Sequence, residues 1–204
     1  MTAHKVSLPE PRRTGDVSVE EAITTRRSRR TFAEEPVTLR QVSQLAWSAQ
    51  GITGPRGRKR AAPSAGATYP MELYVAAGEG GVKDLEVGTY RYHPSSHGLI
   101  QTGGGDIRAR AMSAALGQRF LRRAPLLLLI AADYRRTTQR YSDRGRRYVW
   151  MEAGHISENV YLEAQALGLA TVAVGAFHDA EMADVFGLPE ELDALYVMAA
   201  GNAE

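Results

Sequence analysis

The sequence predicts an α+β domain, and three observations carry that expectation. Strand-like and helix-like patterns are interspersed along the chain without strict βαβ alternation. The run Pro125 to Ala132, PLLLLIAA, is continuously apolar and too short for a typical helix, so it reads as a fully buried strand. The segment 147–167, RYVWMEAGHISENVYLEAQAL, is apolar on more than one side (Val149, Met151, Ala153, Ile156, Val160, Leu162, Ala164, Leu167). It is expected to be a long central buried helix stopped by Gly168.

The other elements follow in order. Residues 1–15, with Pro9 and Pro11 and little apolar periodicity, read as an extended arm ahead of a domain spanning 16–204. Ser18 with Glu21 forms a capping box that opens a short helix ending near Thr25. Thr38 with Gln41 repeats the signature, and Leu39, Val42, Leu45, Ala46 and Ala49 share a face of a helix that stops at Gly51. Residues 51–60, GITGPRGRKR, are a Gly/Pro/basic loop. ELYVAA at 72–77 and GTYRY at 88–92 alternate as strands, and HPSSHG turns the chain into a strand at 99–102. Asp106 is placed to cap a helix over about 107–116 closed by Gly117. LATVAVG at 169–175 is a strand, Asp179 caps a last short helix ending at Gly187, and ALYVMAA at 194–200 is the final strand.

Composition excludes several chemistries. The 204 residues are 44% hydrophobic and 24% charged, the profile of a globular chain of one domain. Twenty-five basic residues against 23 acidic ones do not describe a protein that coats phosphate backbones, so neither nucleic acid nor membrane is expected as a partner. With no cysteine, thiol catalysis, thiolate zinc and iron–sulfur ligation are all removed, and a reducing cytoplasm is the expected compartment. There is no Gly-Lys dipeptide for a Walker loop, GGGDIR does not complete a dinucleotide fingerprint, and no G-x-S-x-G elbow occurs. Glu152-x-x-His155 has the spacing of half a di-iron carboxylate site, but the second pair is missing and no metal is expected.

Four stretches remain. TTRRSRRTF places four guanidinium groups within residues 26–30. Such a cluster suits a solvated turn, a nucleic-acid patch or an anion seat. In an extended segment Arg26, Ser28 and Arg30 share one side, where two guanidiniums flanking a hydroxyl match a terminal phosphate. Pro63-Ser64-Ala65-Gly66 is a small-residue turn before a strand, able to press its backbone against a flat ligand. RYSDRGRRYVWMEAGHISEN at 140–159 and AVGAF at 173–177 complete the set.

In this order, across about 16–201, the four resemble the FMN-dependent nitroreductase superfamily, and within it the SagB-type dehydrogenases, the branch that holds azoline oxidases. The resemblance implies a nitroreductase-like fold, with a mostly antiparallel central sheet flanked by helices, in an intertwined homodimer with FMN at the subunit interface. It implies that Arg26, Arg27, Ser28 and Arg30 hold the FMN phosphate and ribityl chain. Pro63, Ser64, Ala65 and Gly66 would lie along the flavin of the neighbouring subunit, and Val174, Gly175 and Ala176 would form the turn beside its reactive N5. Glu152, His155 and Asn159 match the family's long-helix pattern, with His155 expected as a hydrogen-bonded core histidine.

Three positions depart from that pattern. Ala67 and Tyr69 stand where many nitroreductases have Asn and Gln, which favours the SagB-like branch. Arg140-Tyr141 replaces the Lys-Tyr pair of the azoline oxidases. Arginine stays protonated and cannot act as a base, whereas Tyr141 can still move a proton or orient substrate. Gly201-Asn202 stands where relatives often carry a basic residue, which places more of the phosphate load on 26–30.

The implied activity is an FMN-dependent oxidoreductase working by alternating half-reactions, with Arg140 and Tyr141 as candidate catalytic residues and NAD(P)H as a possible electron donor. Small molecules and peptides are both open as substrates. The alternative is a catalytically degenerate FMN-binding subunit that presents a peptide in a biosynthetic complex. Arg119, Arg122, Arg123, Arg135 and Arg136 suit an anionic substrate or surface ion pairs, the latter favoured. Substrate specificity is expected to lie in 103–123 and a loop at 134–146.

Overall fold

The computed structural model describes residues 4–54 and 59–204. The basic loop expected at 51–60 lies partly outside the described residues; its flanks meet in a bridge between Ile52 and Arg60. In chain order the elements are β1 (Lys5–Ser7), α1 (Val19–Thr25), β2 (Val37–Thr38), α2 (Leu39–Gln50), β3 (Met71–Ala77), β4 (Val82–Lys83), β5 (Gly88–His93), β6 (Gly98–Gly104), α3 (Arg108–Ala114) and α4 (Phe120–Arg123). They continue with β7 (Leu126–Ala132), α5 (Arg135–Tyr141), α6 (Arg144–Ala166), β8 (Leu169–Val174), α7 (Asp179–Phe186) and β9 (Asp193–Asn202).

The class is α+β. Seven strands form one sheet in the order β1-β6-β5-β3-β7-β9-β8, and every strand pairing in it is antiparallel; parallel pairing among the described residues is confined to the short β2–β4 and an isolated bridge between Ser28 and Thr171. The strand read from PLLLLIAA is β7, buried throughout and hydrogen-bonded on both sides, to β3 and β9. Its side chains alternate between two cores. Leu126, Leu128 and Ile130 join the layer of α2 and α6, while Leu127, Leu129 and Ala131 join the layer of α3, α4 and α7.

Local rules place most boundaries. Ser18 accepts from Glu21 N–H at the start of α1, and Thr38 with Gln41 forms a complete capping box at the start of α2. Gly187 closes α7 in the left-handed conformation.

Tertiary structure adds to these expectations and corrects some. The extended arm carries β1, which pairs with β6 as an edge strand. The supposed loop at 134–146 is α5, a break at Ser142 with φ 49°, and the first turn of α6. Asp106 does accept from Arg108 N–H, the first residue of α3, at 3.0 Å, although Ile107 holds the cap position; the same carboxylate also takes the Arg108 guanidinium and Glu79 N–H, and the helix covers Arg108–Ala114. The long helix is buried against the sheet and against α2 and α5, and leaves one stripe in the open. Met151, expected inside, is 52% exposed and shares an outer stripe with Trp150, Gly154, His155 and Glu158. No helix among the described residues is long and apolar enough to cross a membrane.

Candidate active site

Residues 26–30 leave α1 and run along the free edge of β8. Ser28 bridges Thr171, and Arg29 N–H donates to Thr171 O at 3.0 Å. Beneath them stands Tyr161 of α6. Its hydroxyl lies 3.0 Å from Ser28 Oγ and accepts from Ala173 N–H at 2.8 Å, and the Arg26 guanidinium sits 5.2 Å over its ring. Arg27 turns back to donate to Thr24 O and Arg26 O.

Arg30 departs from the expected alternation. Its guanidinium lies 5.7 Å from the Phe120 ring, and Phe120 packs on the opposite sheet face from Tyr161. Only one residue of the segment forms a strand bridge, so the two-residue periodicity ends at Ser28. Arg26 and Ser28 therefore converge, and Arg30 does not join them. Among the described residues, no carboxylate pairs with Arg26, Arg27, Arg29 or Arg30. Four cations without a carboxylate partner in one turn make a strongly positive patch. Asn202 is a tie within the chain: its amide donates to Glu35 O and Pro36 O.

A second assembly forms around residues 63–69. Ala65–Ala67 make a 3₁₀ turn in which Gly66 has φ 59°, followed by Ala67 at φ 54° and Tyr69 at φ 46°. A Cβ on Gly66 would lie 2.5 Å from the Tyr141 hydroxyl and 3.0 Å from Arg140 Nε. Glycine is favoured there by the backbone, and a side chain would have to displace the ends of Tyr141 and Arg140. Arg140 Nη1 reaches Gly66 O at 3.4 Å, Thr68 and Thr137 share a hydroxyl contact at 2.8 Å, and Arg136 donates to Tyr69 O. The predicted pair Arg140-Tyr141 and the predicted loop Pro63-Ser64-Ala65-Gly66 thus touch. Tyr141 is fixed edge-on against Tyr148, ring centroids 5.1 Å apart.

Glu152 of α6 is 2% exposed, and its Oε1 has no partner among the described residues. Burial pushes its carboxyl up to about 7, against a lowering influence of the Ser64 hydroxyl. His155, expected in the core, is exposed: it lies on the outer stripe of α6, while Glu152, three residues earlier, is buried.

The turn Val174-Gly175-Ala176 caps β8. Gln118 donates to Ala176 O at 3.0 Å, and Gly175 faces the Tyr196 ring. It borders a cleft of about 520 Å³ walled by Tyr134, Trp150 and Tyr196, with Arg146, Asp179 and Asp193 at its rim. Arg146 lies 4.7 Å over the Tyr134 ring. Of the arginines expected in ion pairs, Arg135 binds Asp133 and Arg136 binds Glu72.

Sequence reasoning missed Tyr161 and the aromatic cleft. A signal for Tyr161 existed: it sits within the apolar stripe Val160–Ala164 of a buried helix, where a phenol needs a polar partner.

The model of the nitroreductase family matches residues 23–202. A predicted nitroreductase of Methanocaldococcus jannaschii is 44% identical over 175 residues, covering 86% of this chain and 87% of that protein. The microcin B17-processing protein McbC of Escherichia coli is 25% identical over 158 residues, covering 76% of this chain and 58% of that protein. In structure, a predicted nitroreductase of Ralstonia eutropha superposes with a TM-score of 0.85 at 29% identity over 98% of this chain and 90% of its own.

Proposed function

This chain belongs to the nitroreductase family, and we propose from that premise that it is an FMN-dependent oxidoreductase whose flavin sites are completed between two copies of the chain. The observation that carries the reading is the uncompensated Arg26–Ser28 seat at the edge of β8, three residues upstream along that strand from the Gly175 turn. Arg26 and the Ser28 hydroxyl would hold the phosphate and ribityl chain, with Arg27 and Arg30 adding to the positive field. Val174-Gly175-Ala176 would lie beside the ring.

The loop 63–66 belongs to a different side of the molecule. Its Ser64 lies near Glu152, whereas the seat is held by Tyr161. Nine residues separate the two on α6, about two and a half turns and about 13 Å along the axis, so these side chains leave the helix in opposite directions. One copy would therefore supply the seat and its neighbour the loop. The exposed apolar residues of α1 and α6, Val19, Ile23, Trp150 and Met151, suit the contact between copies.

Bound FMN would supply hydride chemistry at N5, with NAD(P)H or an organic substrate as donor and a separate acceptor, in ping-pong fashion. The chain's own tasks are to seat, orient and exclude. The cleft beside Gly175 would take a flat substrate between Tyr134, Trp150 and Tyr196. Tyr141, with its hydroxyl against Gly66, would orient substrate or move a proton, while Arg140 holds the loop through Gly66 O.

The SagB-like reading draws on the likeness to McbC and on Ala67 and Tyr69. Arg140 in place of lysine favours a second reading, a flavin-holding subunit that presents a peptide. The test is direct. Purified protein should show flavin absorption, or take up added FMN, and its bound flavin should bleach on mixing with NADH or NADPH. Uptake without reduction by any donor supports the presenting subunit; failure to bind FMN sinks both readings.

A further inference from the structure

The cleft beside Gly175 combines aromatic walls with an acidic mouth. Its walls are the rings of Tyr134, Trp150 and Tyr196, and its volume of about 520 Å³ suits a small flat molecule. The Trp150 indole N–H donates to the Tyr134 hydroxyl, so two of the three rings hold each other in place. One of them already carries a cation: the Arg146 guanidinium lies 4.7 Å over the Tyr134 ring. Aromatic faces are electron-rich and attract positive charge, tryptophan most strongly.

The charges at the mouth have the matching sign. Asp179 and Asp193 stand at the rim, and the cleft runs on into a second depression bordered by Glu190 and Glu191, with Tyr134 and Asp193 common to both. Among the described residues, none of these four carboxylates has an ion-pair partner. Asp133, on the same depression, differs, because Arg135 and Arg136 neutralise it. Asp179 opens α7, where the helix amides offset part of its charge, whereas Asp193 opens a strand and has no such dipole beside it. Four unpaired carboxylates thus face the single unpaired guanidinium of Arg146. The whole chain carries a formal net charge of +2, so this negative excess is local. Exposed carboxylates alone would be solvated surface. Here they border rings that attract the same sign of charge, and both features favour one class of guest.

We propose that this cleft selects a flat organic cation, a conjugated group with an ammonium or guanidinium beside it, as the substrate presented to the flavin. The substrate role rests on the reading of the Gly175 turn as a flavin contact. The conjugated part lies between Trp150 and Tyr196, and the charge sits at the Asp193 rim. An anion of the same shape meets four carboxylates and is turned away at the mouth.

The experiment compares benzyltrimethylammonium, benzyl alcohol and benzylsulfonate, three compounds with one ring and different charge. Binding is read by ligand-observed NMR titration on the flavin-loaded protein and again on the flavin-free protein. The cation should bind about five-fold more tightly than the alcohol, the worth of a part-exposed aromatic face with opposite charge beside it, and the sulfonate should bind least. The double variant Asp179→Asn with Asp193→Asn should bring the cation down towards the alcohol, and high salt should do the same to the wild type. Equal affinities for the three compounds, or a preference that survives both the double variant and high salt, overturn the inference and leave the flavin reading untouched. A protein that prefers the cation yet never takes up FMN keeps the selectivity of the cleft, but overturns the flavin reading and the substrate role with it.

Discussion

Tyr161 and Ser28, 133 residues apart in sequence, face each other hydroxyl to hydroxyl at 3.0 Å. The same phenol accepts from Ala173 N–H, and its ring lies under the Arg26 guanidinium. One side chain thus ties the basic turn, the long helix and the strand that leads to the Gly175 turn.

Removing that hydroxyl should be felt as lost stability. Tyr161→Phe leaves the Ala173 N–H, on an otherwise closed strand, without its acceptor. The expected cost is about 1–3 kcal/mol in chemical denaturation, with the fold retained. A variant as stable as wild type would show that water or a neighbouring group replaces the phenol.

The four arginines are not equivalent. Arg26→Ala should weaken FMN binding by about 1.5–3 kcal/mol, the value of a charge-assisted contact, as read by isothermal calorimetry. Arg30→Ala should cost less, because its guanidinium lies with Phe120 on the other sheet face. A larger loss at Arg30 than at Arg26 would reverse the proposed geometry of the seat.

Gly66 is bounded by its own φ of 59° and by the Tyr141 hydroxyl. Gly66→Ala should destabilise by more than about 1 kcal/mol from the backbone alone. Adding Tyr141→Ala should return the steric part and leave the backbone part. Thermal melts of the single and double variants separate the two contributions.

Glu152 also predicts a pH dependence of folding without any ligand. Its folded-state value is raised, so the folded chain keeps a proton that the unfolded chain releases. Stability is therefore full below about 4.5, falls as pH rises towards about 7, and levels off above it. The slope should be about 1.4 kcal/mol per pH unit, on the order of 3 kcal/mol in all. Urea unfolding of Glu152→Gln should lack this decline when set beside the wild type.

The exposed apolar stripe gives an assembly prediction. A double variant, Ile23→Glu with Met151→Glu, should sediment as a monomer where the wild type sediments as a dimer. It should also lose flavin, since neither copy alone brings Ser64 to the Arg26 seat. A monomeric wild type that retains FMN would contradict the shared site.

Much of this was legible because it is local. Ser18, Thr38 and Gly187 mark helix ends through hydrogen bonds within a few residues, and the unbroken apolar run of β7 needs burial on both faces. What escaped is set by tertiary contact. RRTTQRY carries two β-branched threonines and no apolar stripe, yet it forms α5 because Thr137 bonds Thr68 and Arg136 pairs with Glu72 across the loop. The site divides in the same way. Residue types at 26–30 and 63–66 were visible, whereas the partnership of Ser28 with Tyr161 and the contact of Gly66 with Arg140 and Tyr141 depend on which elements the fold brings together.

The placement of β9 has a consequence for how the sheet closes. The strand is not at a border of the sheet; it is inserted between β7 and β8, and both neighbours bond along nearly all of it. While residues 193–202 are undocked, β7, buried throughout in the finished sheet, has one side unsatisfied, and β8 has no partner in the sheet. Any folding species without β9 in place therefore carries two sticky borders, and insertion of this strand is the step that removes both.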